Sequence, residues 1–152
     1  MPDTIVEPNE SVNLTLSNPT GGGTLAAQST SVLFISDNDP NGKLQFKLTS
    51  FLVSENSPTA TITITRSNGT YGAIGVSYST NDNTATNGSD YTTTSGTLSF
   101  AQGQSSKTFT IPIKNDTAAE GAESLNLTLS NPTGGATLAD GMRAVLIITD
   151  ND

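Results

Sequence analysis

The chain has 152 residues, and its 14 acidic and 6 basic side chains give a formal net charge of −8 with only 13% charged residues in all. It has no Cys, His or Trp, which excludes disulfides, thiolate or imidazole zinc sites and any Ser-His-Asp triad. Six basic residues cannot neutralise a phosphate backbone against that acidity, so nucleic acid is excluded as a partner. No apolar run approaches the roughly 18 residues that would span a bilayer, so no membrane insertion is expected.

In chain order, Met1-Pro2-Asp3 opens without the charged and apolar regions of a signal peptide. Period-2 alternation then predicts strands at 11–17 and 31–35, with inward faces Val12/Leu14/Leu16 and Val32-Leu33-Phe34-Ile35. Pro40-Asn41-Gly42 is turn chemistry, and residues 40–41 are read as a linker. Further strands are predicted at 44–49, 51–55, 60–66, 74–80, 96–100, 107–113, 123–130 and 143–149. Their inward faces are Leu44/Phe46/Leu48, Ile62/Ile64, Ile74/Val76/Tyr78, Leu98/Phe100, Phe109/Ile111/Ile113 and Leu125/Leu127/Leu129. The last strand, Val145-Leu146-Ile147-Ile148, is apolar on both sides and is expected inside a sheet. Pro112 removes a ladder donor, which implies a sheet edge or a bulge.

The chain also repeats itself. Pro2–Asp39 aligns without a gap onto Asn115–Asp152, an offset of 113 residues. Both copies carry a Glu pair, Glu7/Glu10 and Glu120/Glu123, and then the string Asn-Leu-Thr-Leu-Ser-Asn-Pro-Thr-Gly-Gly. Both close on an apolar run and Asp-Asn-Asp. Residues 1–39 therefore read as the C-terminal part of a preceding repeat, and 42–152 as a complete one. Seven or eight short strands in that length predict an all-β, immunoglobulin-like antiparallel sandwich.

The acids of the full repeat are Glu55, Asp82, Asp90, Asp116, Glu120, Glu123, Asp140, Asp150 and Asp152, and most stand where a strand begins or ends. Alternate strand ends of a sandwich converge on one tip. Two carboxylates about 4 Å apart repel by roughly 1 kcal/mol in water and about 4 at an effective dielectric of 20. A divalent ion that takes 6–8 oxygens, as Ca²⁺ does, removes that penalty. The same placement also suits acids that only block edge pairing and confer solubility.

Several blocks, in order, resemble the Calx-beta motif. They are Gly42-Lys43-Leu44-Gln45-Phe46, Val53-Ser54-Glu55-Asn56, Thr61-Ile62-Thr63-Ile64-Thr65-Arg66 and Thr84-Ala85-Thr86-Asn87-Gly88-Ser89-Asp90-Tyr91. Ser95-Gly96-Thr97-Leu98-Ser99-Phe100, Leu127-Thr128-Leu129-Ser130-Asn131-Pro132 and Ile148-Thr149-Asp150-Asn151-Asp152 complete the series. The resemblance implies an immunoglobulin-like sandwich that binds Ca²⁺. It places the ligands on Glu55, Asp90, Asn115, Asp116, Glu120, Glu123, Asp150, Asn151 and Asp152, with the carbonyl of Ala118. Calcium-binding members of the family carry Asp where this chain has Asn115 and Asn151, which implies fewer ions or weaker binding. An incomplete second site would use Asp3, the carbonyl of Ile5, Glu7, Glu10, Asp37, Asn38 and Asp39. Asp82 and Asp140 are left to solvated loops.

The function expected is a non-catalytic calcium-binding module of a tandem array, outside the cell or on its surface, with neighbouring repeats as partners and an adhesion or stalk role. The alternatives are a sensor that signals Ca²⁺ occupancy to a neighbouring domain, and a purely structural module. Residues 1–39, left with an open apolar face, are expected to pair strands with another chain and allow self-association. Six Asn-x-Ser/Thr sequons, at Asn9, Asn13, Asn68, Asn87, Asn115 and Asn126, follow from the composition and carry no further reading.

Overall fold

The computed structural model describes residues 10–36 and 40–152, which contain strands and turns and no helix. The chain divides into two units, Met1–Asp39 and Pro40–Asp152. In the first, β1 (Glu10–Thr15) pairs antiparallel with β2 (Thr30–Ile35) to make a two-stranded sheet. The Leu16 N–H donates to the Ser29 carbonyl at 2.8 Å and extends the ladder past β1.

The second unit is a sandwich of two sheets. Its strands are β3 (Lys43–Phe46), β4 (Ser50–Ser54), β5 (Thr59–Ser67), β6 (Ile74–Asp82) and β7 (Ser95–Phe100). They continue with β8 (Ser106–Pro112), β9 (Glu123–Thr133), β10 (Thr137–Leu138) and β11 (Arg143–Thr149). One sheet has the order β10-β3-β5-β8 and the other β4-β11-β9-β6-β7. The pairing is antiparallel except at β10–β3 and β11–β4.

Those two parallel contacts share one cause. The first strand of the sandwich breaks at 47–49 and its halves join different sheets, β3 in one and β4 in the other. The Lys47 N–H donates to the Thr63 carbonyl on one side of the break, and the Thr49 carbonyl accepts from Val145 N–H on the other. Leu48 sits on this crossover and is 52% exposed, which corrects its expected inward position. Alternation holds only within a continuous strand, and the crossover resets it.

Elsewhere the alternation predicts the core well. Leu44, Ile62, Ile64, Val76, Phe100, Ile111, Leu125, Leu127, Leu129 and Leu146 are fully buried between the sheets. Tyr78 and Leu98 are half-buried against this cluster. Tyr78 on β6 stacks on Phe109 on β8, with ring centroids 3.9 Å apart, and so ties one sheet to the other. Such a pair adds about 0.5–1.5 kcal/mol beyond its buried area. Pro112 lies on β8, the edge strand of its sheet, where the missing donor costs no ladder bond. β11 lies inside its sheet, between β4 and β9. Strand β10, two residues long, follows the Gly134-Gly135 turn and has no periodicity that could announce it. Both glycines have positive φ (68° and 79°), and a side chain at Gly134 would collide with the Ala73 carbonyl.

One end of the sandwich is closed by a buried cation. The Arg66 guanidinium at the end of β5 donates to the carbonyls of Asn41 (2.9 Å), Gly72 (3.1 Å), Ala101 (3.3 Å) and Tyr71. Asn41, expected as part of a linker at 40–41, thus gives its backbone oxygen to the sandwich itself. The acids gather at the opposite end.

Candidate metal centre

Four segments reach the acidic tip: the end of β4, the β6–β7 loop, the β8–β9 loop and the end of β11. Glu55 follows β4, and its N–H continues the parallel ladder to the Thr149 carbonyl at 2.9 Å. That ladder holds Glu55 beside Asp150, the residue after β11. The Glu55 side chain is only 7% exposed, and its Oε1 accepts the Asp116 N–H at 2.9 Å. Asp150 is likewise set by backbone donors. Its Oδ2 accepts Glu120 N–H at 2.8 Å and its Oδ1 accepts Asp152 N–H at 3.1 Å. These bonds, Asp152 first, hold the Asp150 carboxyl below the usual range.

The tip brings six carboxylates into two groups. Oxygens of Glu55, Asp150 and Asp152 lie within 4.8 Å of one another, and so do those of Asp90, Glu120 and Glu123. A narrow cleft runs between the groups, lined by Glu55, Asp90, Glu120, Glu123 and Asp150 with Gly121 and Ile148. Partial desolvation raises the Glu120 carboxyl above its ordinary value, helped by the charges of Asp116, Asp90, Glu55 and Asp150. Glu123 is raised too, by desolvation and then by its hydrogen bond to Asp90 and the charges of Asp90, Glu120 and Glu55. Both carboxyls are thus raised by desolvation first and by neighbouring acids second. Lys114, the nearest base in sequence, donates its ammonium to the Gly88 carbonyl.

The other expected positions are placed differently. Asp116 folds its own loop, with Oδ1 accepting Ala118 N–H at 2.8 Å, while its charge acts on Glu120. Asn115 donates its amide Nδ2 to the Asp116 carbonyl at 2.9 Å. Asn115, Ala118 and Asn151 are exposed. In the first unit Glu10 opens β1 with an exposed side chain. Asp3, Ile5, Glu7, Asp37, Asn38 and Asp39 lie outside the described residues.

Asp82 is exposed, as expected of a solvated acid, but it also holds a loop together. It ends β6, and its Oδ1 accepts both the Tyr91 hydroxyl at 2.6 Å and the Asn87 N–H at 3.0 Å. Asp90 closes the same loop from the other side, its Oδ2 taking Thr86 N–H at 2.6 Å. Asp82 therefore shapes the loop that presents Asp90. A buried tyrosine nine residues downstream was the available signal, since a buried phenol needs an acceptor. Asp140 is exposed, as expected.

The model of the Calx-beta domain family matches residues 36–152. The chain belongs to the Calx-beta family. Among relatives of this Calx-beta chain, the adhesion G-protein coupled receptor V1 of Danio rerio is 33% identical over 131 residues, which is 84% of the chain. Sodium/calcium exchanger 1 of Canis lupus familiaris is 35% identical over 98 residues, or 64% of the chain. The Calx-beta chain spans 2% and 10% of the length of those two proteins. The crystal structure of the calcium binding domain CBD12 of CALX1.1 superposes with a TM-score of 0.70 at 31% identity. That match covers 72% of the Calx-beta chain and 46% of CBD12. The immunoglobulin-like β-sandwich is thus the fold of the family as well as of this unit.

Proposed function

We propose that the second unit is a non-catalytic calcium-binding module. The observation that carries this is the pair of three-carboxylate groups on either side of one cleft. Carboxylates are hard oxygen donors, and loops tolerate the variable coordination that Ca²⁺ accepts. The similar CBD12 structure, that of a calcium binding domain, supports the same choice of ion. Glu55, Asp90, Glu120, Glu123, Asp150 and Asp152 supply the charged oxygens. Asp116 adds a seventh carboxylate after a small loop movement, and Asn115, Asn151 and the Ala118 carbonyl complete the set as neutral donors.

The module works in an array at the cell surface or outside the cell, in adhesion or as a stalk. The 113-residue repeat supports the array, and the likeness to an adhesion receptor supports the location. Calcium stiffens each junction, because in the sequence the Asp-Asn-Asp end of one repeat runs directly into Pro40-Asn41-Gly42 of the next. The likeness to a sodium/calcium exchanger supports a second reading, a sensor that passes occupancy to an adjoining domain. Titration calorimetry with Ca²⁺, and with EDTA as control, tests binding itself. Saturable heat that vanishes in Glu120→Ala is expected, and no heat above dilution refutes the module.

A further inference from the structure

Three of the four edge strands of the sandwich carry a feature that discourages pairing with another chain. β10 is two residues long, β8 carries Lys107 and ends on Pro112, and β7 is interrupted by Gly96. The fourth, β4, has none of these. It reads Ser50-Phe51-Leu52-Val53-Ser54, without charge, proline or glycine, and Leu52 at its centre is 71% exposed.

The backbone of this edge is open in a regular way. The Thr49 carbonyl accepts Val145 N–H at 3.1 Å, and Glu55 N–H donates to the Thr149 carbonyl at 2.9 Å. The odd-numbered residues of this stretch therefore face β11. Successive residues of a strand turn their backbone groups to opposite sides, so Ser50, Leu52 and Ser54 present N–H and C=O to the free side. On the outer face of the sheet Leu52 lies beside Ile147 and Ser50 beside Val145. Pairing inside the sheet satisfies the backbone of β11 but leaves Val145 and Ile147 half-buried on that outer face.

We infer that β4 is an interface for a second copy of this chain, joined antiparallel about a two-fold axis at Leu52. In that register Ser50 faces Ser54 of the second copy, Phe51 faces Val53, and Leu52 faces Leu52. The near-palindrome of β4 thus lets each open N–H meet an open C=O. Leu52 and Ile147 of both copies form one apolar row across the joined sheets. Charge selects the same direction. A net charge of −8 opposes association in general. Glu55 and Asp150 follow the ends of β4 and β11, while the exposed Lys47 and Arg143 stand where those strands begin. Antiparallel pairing brings the acidic end of one copy to the basic end of the other, whereas parallel pairing would set acid against acid. The interface does not rest on the calcium reading and uses nothing from residues 1–39.

The whole chain contains no cysteine, so single substitutions report the register directly. Residues of a hydrogen-bonded pair lie about 5.5 Å apart between Cα atoms, within the roughly 4.4–6.8 Å that a disulfide spans. In oxidised glutathione Leu52→Cys should form a disulfide-linked dimer. Ser50→Cys alone should not, but it should cross-link to Ser54→Cys when the two proteins are mixed. Sedimentation equilibrium of the unsubstituted chain should show its mass rising from monomer to dimer with concentration. Leu52→Lys sets like charges across the axis and should raise the midpoint concentration at least about tenfold, while Leu52→Ile should leave it in place. A chain that stays monomeric at the highest concentration reached overturns the inference. So does association that Leu52→Lys leaves unchanged, because another surface then joins the copies. Cross-linking of Ser50→Cys alone as readily as of Leu52→Cys overturns it too, since the strands then meet in a different register.

Discussion

Glu55 and Asp116 are 61 residues apart in sequence and meet at 2.9 Å, the backbone N–H of Asp116 donating to the buried Oε1 of Glu55. This bond fixes the β8–β9 loop over the end of β4. It also holds the Glu55 carboxylate at the tip, where one of its oxygens lies within 4.8 Å of oxygens of Asp150 and Asp152. Glu55→Gln retains an acceptor for that N–H but removes a charge. In EDTA its melting temperature should equal or exceed that of the wild type, while the gain on adding calcium shrinks. Glu55→Ala takes the acceptor from the Asp116 N–H and should cost about 0.5–1.5 kcal/mol even in EDTA. Paired thermal melts check both.

Calcium itself should stabilise the second unit. Binding to the native state alone adds about 2.7 kcal/mol at 100 times the dissociation constant. For a domain of this size that is a rise of about 10 °C in Tm. Asp116→Ala or Glu120→Ala should remove most of the rise. Scanning calorimetry in millimolar calcium and in EDTA measures it, and coincident transitions would count against the calcium reading.

The pH dependence has a definite sign. Glu120 and Glu123 have folded-state values above their ordinary 4.5, so the native state binds more protons than the unfolded one over that interval. Their contribution is most favourable below 4.5 and is lost as pH rises through the folded values. Asp150 runs the other way: held below 3.8, it contributes above that pH and loses the contribution as pH falls through its folded value. Metal-free protein should therefore lose stability as the pH rises above 4.5, and calcium should flatten that slope. Urea melts across this range, with and without calcium, test the difference.

Tyr91 is fully buried, and burial, followed by its hydrogen bond to Asp82, pushes its phenol up to about 12. No phenolate from Tyr91 should appear below pH 11 in a spectroscopic titration of the folded protein. Tyr91→Phe removes a hydrogen bond to a carboxylate and should cost about 1.5–3 kcal/mol. Because the Asp82–Tyr91 bond shapes the loop that presents Asp90, the same variant should also bind calcium more weakly.

A protein of two complete repeats joined by Asp-Asn-Asp-Pro-Asn-Gly should be longer and stiffer with calcium than without. Small-angle scattering reads this as a larger maximum dimension and a narrower distance distribution. Identical profiles in the two states would make the junction a passive linker.

Strand identity and the inward faces were legible because alternation is a local property of a strand with one buried face. Ile62 and Ile64, or Leu125, Leu127 and Leu129, needed only their own neighbours to be assigned to the core. The repeat, too, was in the sequence, since Pro2–Asp39 and Asn115–Asp152 can be aligned letter by letter. The acids at strand ends were visible as a distribution, but not as two groups.

What only the tertiary structure decided is which strand ends meet and which bonds their side chains already make. The break at 47–49, invisible to alternation, sends β4 to the β11 sheet, and through that parallel ladder Glu55 arrives beside Asp150. The β8–β9 loop then divides the acids, because backbone donors at Asp116 and Glu120 orient Glu55 and Asp150. Asp82 looked like any solvated acid until Tyr91 was found against it. Each of these depends on contacts between residues far apart in the chain, and a local pattern carries no information about such contacts. The sequence by itself thus determined the strands, most of the core and the acids at strand ends, while the three-dimensional pairing of sheets decided how those acids are shared between the fold and the cleft.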